Sequence, residues 1–82
     1  MTYKIIASQT FEKDFRKLDL HFQSKIKYKF REVAENPTQY KHMHPPMNNY
    51  CRISVEKLRI FFSYDVQKQI LYLEKIIFGH KY

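Results

Sequence analysis

Two arginines give the first chemical signal of this 82-residue chain. Arg52 and Arg59 lie in two short runs, Cys51-Arg52-Ile53-Ser54-Val55 and Leu58-Arg59-Ile60-Phe61-Phe62, separated only by Glu56 and Lys57. Residues 51, 53 and 55 are apolar in the first run, and 58, 60 and 62 form the wholly apolar set in the second. That period of two marks a half-buried strand. A two-residue loop at Glu56-Lys57 pairs 55 with 58, 54 with 59 and 53 with 60, so both apolar sets fall on one side. Arg52, Ser54, Arg59 and Phe61 then share the other side. Two guanidiniums on successive outward pairs suit an anion, because a planar fork of five donors matches a phosphate. The alternative is two solvated arginines on an open face. A third β-prone run, Ile70 to Phe78, leads to Gly79-His80-Lys81-Tyr82, where a histidine can exchange protons at neutral pH. His42 and His44 would be two metal ligands, but no cysteine or carboxylate pair nearby completes a closed set of four, so no metal is expected.

These strands need elements to bury their apolar side. Tyr3 to Ala7 is a short β-prone run, with Ser8 or Thr10 as the helix cap after it. Phe11, Phe15 and Leu18 recur at i, i+4, i+7. Asp19 can cap a second helix in which Phe22, Ile26, Phe30 and Val33 repeat at intervals of four, four and three. That helix ends near Glu35, because Pro37 pushes Asn36 out of the α region. Its aromatic stripe has one partner rich in Ile, Val and Leu, the face carrying 53, 55, 58 and 60, so the arginine face is left open. Residues 36 to 49 read as a loop in which asparagine supplies any left-handed turn geometry. In the last strand Tyr72, Glu74, Ile76 and Phe78 fall on one parity, which His80 and Tyr82 would continue.

Composition bounds the class. The chain is 44% hydrophobic and 17% aromatic, enough for one small core and one domain, residues 1–82. A net charge of +7, from 15 basic and 8 acidic residues spread along the chain, points to an extended anionic partner, nucleic acid or an acidic protein. The single cysteine, Cys51, rules out an intrachain disulfide. No stretch resembles a signal peptide or reaches membrane length, so a cytoplasmic protein without membrane contact is expected.

Four pieces of the chain, in this order and spacing, resemble the RelE/ParE superfamily of toxins from toxin–antitoxin pairs. They are Phe15-Arg16-Lys17-Leu18; Glu35-Asn36-Pro37; the two arginine-bearing runs; and Lys75-Ile76 leading to Gly79-His80-Lys81 and Tyr82. The resemblance implies an α+β fold, β-α-α-β-β-β, with two N-terminal helices packed on one face of an antiparallel sheet. In the RelE branch it implies a ribosome-dependent mRNA endonuclease (mRNA interferase) that enters the ribosomal A site, cleaves by 2′-hydroxyl attack and inhibits translation. Such chemistry needs a proton acceptor at the 2′-oxygen, cations at the phosphorane and a donor for the leaving 5′-oxygen. Arg59 falls on the strand arginine that stabilises the phosphate, and Arg52 on the basic position of the preceding strand. His80 and Lys81 fall where many members have His-Arg after a glycine. Tyr82 looks like the family's C-terminal tyrosine, which would handle a proton or stack on a base. Some relatives take a catalytic histidine from the loop that here holds His42 and His44.

The match has departures. Ser54 stands where many members carry a second basic residue, a gap that Lys57 or Lys81 would have to fill. Glu56 replaces a turn glycine, and the segment between Gly79 and Tyr82 is short. Phe61 would stack on a nucleobase, cover the core edge or meet the antitoxin. The basic helix residues Lys13, Arg16, Lys17, Lys25 and Lys29 would grip ribosomal RNA or form a solvated charged face. The implied partners are a cognate acidic antitoxin, the ribosome and mRNA, with no small-molecule cofactor. Two other functions share the fold: ParE-like inhibition of DNA gyrase without any cutting, and an inactive relative that only binds its antitoxin.

Overall fold

Tyr3 and the Ile5-Ile6 pair are β-prone, and the chain enters a strand there at once. The computed structural model of the protein describes residues 2–40, 42 and 49–78. In chain order they form β1 (Lys4–Ala7), α1 (Gln9–Arg16), α2 (Leu20–Glu35), a 3-10 turn (Pro37–Gln39), β2 (Cys51–Val55), β3 (Leu58–Asp65) and β4 (Ile70–Phe78). The sheet order is β1-β4-β3-β2. β2 and β4 both run antiparallel to β3, while β1 joins β4 in parallel. The α+β fold with both helices on one sheet face is the one expected from the sequence, and the parallel β1 makes the sheet mixed. A parallel pair needs a long crossover, which the two helices and the β2–β3 hairpin provide.

Ser8 starts α1 as its N-cap: its Oγ accepts from the Phe11 amide at 3.0 Å and donates to the Glu74 carbonyl of β4 at 2.8 Å. The helix is therefore fixed to the sheet at its first residue. At the other end, Gln23 of α2 donates its side-chain amide to the Phe15 and Leu18 carbonyls, 2.9 and 3.1 Å away. Those bonds satisfy acceptors that a helix end leaves open and set the corner between the two helices. Asp19 is the N-cap of α2 but makes no side-chain capping bond. Asn36 leaves the helix at φ −157° and ψ 73°, outside the α region that the following proline disfavours.

One core fills the space between helices and sheet. Ile26, Phe30, Val33 and Ala34 are buried with Ile53, Val55, Leu58, Ile60 and Phe62, and Phe30 meets Phe62 edge to face at 5.6 Å. Phe22 and Phe15 pack against its margin. The β2–β3 register is the one predicted: Val55 opposite Leu58, Ser54 opposite Arg59, Ile53 opposite Ile60. Its loop begins with Glu56 at φ 56°, a conformation that glycine adopts freely and that costs another residue about 1 kcal/mol. His21 Nε2 at 3.0 Å and Lys25 Nζ at 3.6 Å, both on α2, hold its carboxylate. Among the described residues outside that loop, Gln69 also has positive φ, 55°; Asn48, one of the asparagines expected to supply such geometry, lies outside the described residues.

The expected alternation of β4 is corrected by a β-bulge. Phe61 pairs with Lys75 but Phe62 pairs with Leu73, so Glu74 is an extra residue between them. The parity changes at that point. Leu71, Leu73 and Ile76 are all buried in the core, and Tyr72 is not on the side of Ile76.

Candidate functional site

The sheet face turned away from the helices is assembled row by row from the register. One row runs Ser54, Arg59, Ile77 across β2, β3 and β4; the next runs Arg52, Phe61, Lys75. Beyond the bulge come Ser63 and Tyr72, with Ile6 of β1 beside Tyr72. Arg52 and Lys75 are exposed, whereas Arg59 and Phe61 are half-buried. Arg59 lies in the inner strand β3 and one row away from Arg52, within the reach of two long side chains on a diagonal pair. The structure thus brings the two predicted arginines together on one open face and adds Lys75 to them.

Lys75 is the site residue missed by sequence reasoning. The bulge hid it, although the apolar spacing 71, 73, 76, two and then three, is a readable sign of a lost alternation. Lys57 does not fill the place of the missing cation at Ser54. Its Nζ lies 5.8 Å from the Phe22 ring centroid, on the helix side. His80, Lys81 and Tyr82 lie outside the described residues, as does His44.

Charge is distributed unevenly between the two sides. On the helices Arg16 is 4.0 Å from Glu12, Lys29 is 3.8 Å from Glu32 and Lys25 is paired with Glu56. Such exposed pairs add little stability, but each cancels part of the local field. Lys13 and Lys17 are exposed on α1 and at its end. The helix cations and the arginines are on opposite sides of the molecule. Among the described residues Arg52, Arg59 and Lys75 form no ion pair, so the open face carries three cations around one aromatic ring without a salt-bridged carboxylate. Cations beside a half-buried ring are the chemistry that a phosphodiester and its base call for.

His42 serves a different environment. It forms a single β-bridge to Cys51 at the outer edge of β2. Its Nε2 is 3.2 Å from the Tyr64 hydroxyl and its Nδ1 3.8 Å from Cys51 Sγ. Burial pushes the Cys51 thiol up from its ordinary value. Burial, and then the neighbouring Cys51 and Tyr3, raise Tyr64. Both groups stay protonated at neutral pH and lie on the core side, across the sheet from the arginines. Among the described residues no three His, Cys, Asp or Glu side chains are grouped to hold a metal ion, and no helix is long and apolar enough to cross a membrane.

A family model described as the ParE toxin of type II toxin–antitoxin systems, parDE, matches residues 5–78. Solved structures share the fold at low sequence identity. The isolated Escherichia coli RelE toxin is 19% identical, with 98% of this chain and 87% of that chain covered and a TM-score of 0.82. The toxin–antitoxin complex RelBE2 from Mycobacterium tuberculosis contains a chain 12% identical, covering 95% and 99%, with a TM-score of 0.84. A YoeB/ParE toxin from Agrobacterium tumefaciens is 16% identical over 92% and 96%, with a TM-score of 0.78. Among curated proteins none matches the sequence.

Proposed function

The chain belongs to the ParE toxin family of type II toxin–antitoxin systems, and from that premise we propose that it is a ribosome-dependent mRNA endonuclease that stops translation. The observation that carries this reading is the open face itself: Arg52, Arg59 and Lys75 surround Phe61 without an ion pair among the described residues. Arg59 and Arg52 hold the non-bridging oxygens of the scissile phosphate and stabilise the charge that grows there. The ribonucleotide's 2′-oxygen attacks phosphorus as its proton leaves to a base, and the 5′-oxygen departs with a proton from an acid. His80 and Tyr82, with Lys81 beside them, are the proposed acid/base groups, and they follow β4, whose Ile77 pairs with Arg59. The products are a 2′,3′-cyclic phosphate and a free 5′-hydroxyl. Among the described residues no helix covers this face, and the ribosome supplies the alignment on which much of the rate depends.

The proposed partner is an acidic antitoxin, in keeping with the complexes in which similar chains are found and with the net charge of +7. Its charge would cover the arginine face and occupy the phosphate site. A second reading, gyrase inhibition without catalysis, is favoured by one observation, the match to the ParE model. Translating ribosomes given an mRNA with one 2′-deoxy residue at the cut site separate the two. Cleavage of the all-ribose message and resistance of the substituted one support the nuclease. Intact RNA in both cases, with loss of gyrase supercoiling, supports the inhibitor.

A further inference from the structure

An anion-binding face has no use for a carboxylate, yet the bulge of β4 puts one there. Glu74 is the extra residue of that bulge, it is half-buried, and its Oε2 accepts from Ser63 Oγ at 2.9 Å. Ser63 faces the same side as Phe61, so the carboxylate does too. Its backbone is fixed independently, through the bond from Ser8 to the Glu74 carbonyl. Bulges commonly re-aim a side chain beside a functional site. Among the described residues Glu74 forms no ion pair, despite the cations near it.

The Ser63–Glu74 pair has a definite hydrogen-bonding character. A serine hydroxyl has one proton, and here the carboxylate takes it. Ser63 Oγ and Glu74 therefore present only acceptors to a ligand. Lys75, the next residue and on the same face, presents only donors. The face beside Phe61 thus offers two acceptors followed by a donor. Among the four RNA bases, guanine alone has two adjacent donors, N1–H and the 2-amino group, next to an acceptor, O6. Uracil turns two carbonyls toward the pair, and adenine and cytosine each put an acceptor beside their single amino group. We propose that Ser63, Glu74 and Lys75 form a guanine-reading edge, with the base against Phe61 and its phosphate on Arg52 and Arg59. This specificity rests on the RNA-binding reading above.

Binding of 2′-O-methyl RNA pentamers, which have no nucleophile, tests the edge without catalysis. Four uridines flank a central guanine, inosine, adenine, cytosine or uracil, and affinity for the free protein is measured at low salt. The expected order places guanine first, on the order of tenfold above uracil, as for a good bidentate base contact. Inosine, which lacks only the 2-amino group, falls between them. Glu74→Gln replaces one acceptor by a donor and leaves the backbone bond from Ser8 in place. It should abolish the guanine preference and strengthen binding of the all-uridine pentamer. Ser63→Ala should keep part of the preference. Binding that Arg59→Ala weakens but that is equal for all five centres would overturn the guanine assignment and leave the RNA reading standing. No salt-dependent binding of any pentamer would overturn the guanine edge, and the RNA reading itself stands or falls on cleavage of the all-ribose message by translating ribosomes. An unchanged guanine-to-uracil ratio in a folded Glu74→Gln protein would also overturn the assignment.

Discussion

Ser8→Ala removes two hydrogen bonds by deleting one atom. The hydroxyl accepts from the Phe11 amide and donates to the Glu74 carbonyl, 66 positions away. Loss of an N-cap acceptor costs about 1 kcal/mol. Loss of the second bond, which leaves a part-buried carbonyl with a partner fewer, costs about another 1 kcal/mol. The sum of about 2 kcal/mol is a large fraction of the roughly 5–15 kcal/mol that holds a domain of this kind together. At about 4–8 °C per kcal/mol for a domain of this size, the midpoint of thermal unfolding should drop by about 10 °C. Urea unfolding followed by circular dichroism measures the free energy, with an unchanged slope showing that the unfolded state is the same. Ser8→Asp separates the two contributions, because a carboxylate caps the helix and cannot donate. It should recover about half of the loss. A destabilisation below about 0.5 kcal/mol in Ser8→Ala, or equal damage from both substitutions, would refute the link between α1 and the bulge.

Three further outcomes are expected. Arg59→Ala should abolish toxicity with the circular dichroism spectrum retained, while Arg59→Lys should restore only part of it, because an ammonium cannot make the bidentate contact; full growth arrest by the folded Ala variant would remove Arg59 from the site. Deletion of residues 80–82 should abolish RNA cleavage and leave ribosome binding largely intact, since long-range attraction comes from charges elsewhere on the molecule; equal loss of both in a co-sedimentation and cleavage assay would make that segment structural. Because the Cys51 thiol is raised above its ordinary value of 9.0 by burial, the folded state favours the protonated form. Its contribution to stability is full below pH 9.0 and is lost as pH rises through the folded value. Cys51→Val should flatten that alkaline loss in the urea midpoint, leaving the part due to Tyr64.

The legible parts of this fold were those where a short-range rule acts alone. The hairpin register follows from a two-residue loop and two strict alternations, which alone put Arg52 and Arg59 on one face. The helix stripes and the stop at Asn36 followed from spacing and from one proline. The bulge at Glu74 was hidden because one inserted residue leaves the β-prone composition of β4 unchanged, and with it went Lys75 and the carboxylate beside Phe61. The parallel pairing of β1 was hidden for another reason: Ile5 and Ile6 do not specify which distant strand they join. The direction Lys57 takes was not legible, because it is set by Phe22, an aromatic 35 positions earlier.

Lys4 pairs with Ile70 and Ala7 with Leu73, so the first strand waits for the last. During synthesis the two helices and the β2–β3 hairpin emerge before β4, the strand that joins β1 to the rest of the sheet. Contacts this far apart in sequence form slowly and late. While β4 remains inside the ribosomal exit tunnel, β1 has no edge to join and the Ser8 hydroxyl no carbonyl in β4 to bind. Strand order therefore sets an order of closure: β1 joins the sheet, and Lys75 completes the arginine face, only once β4 is in place.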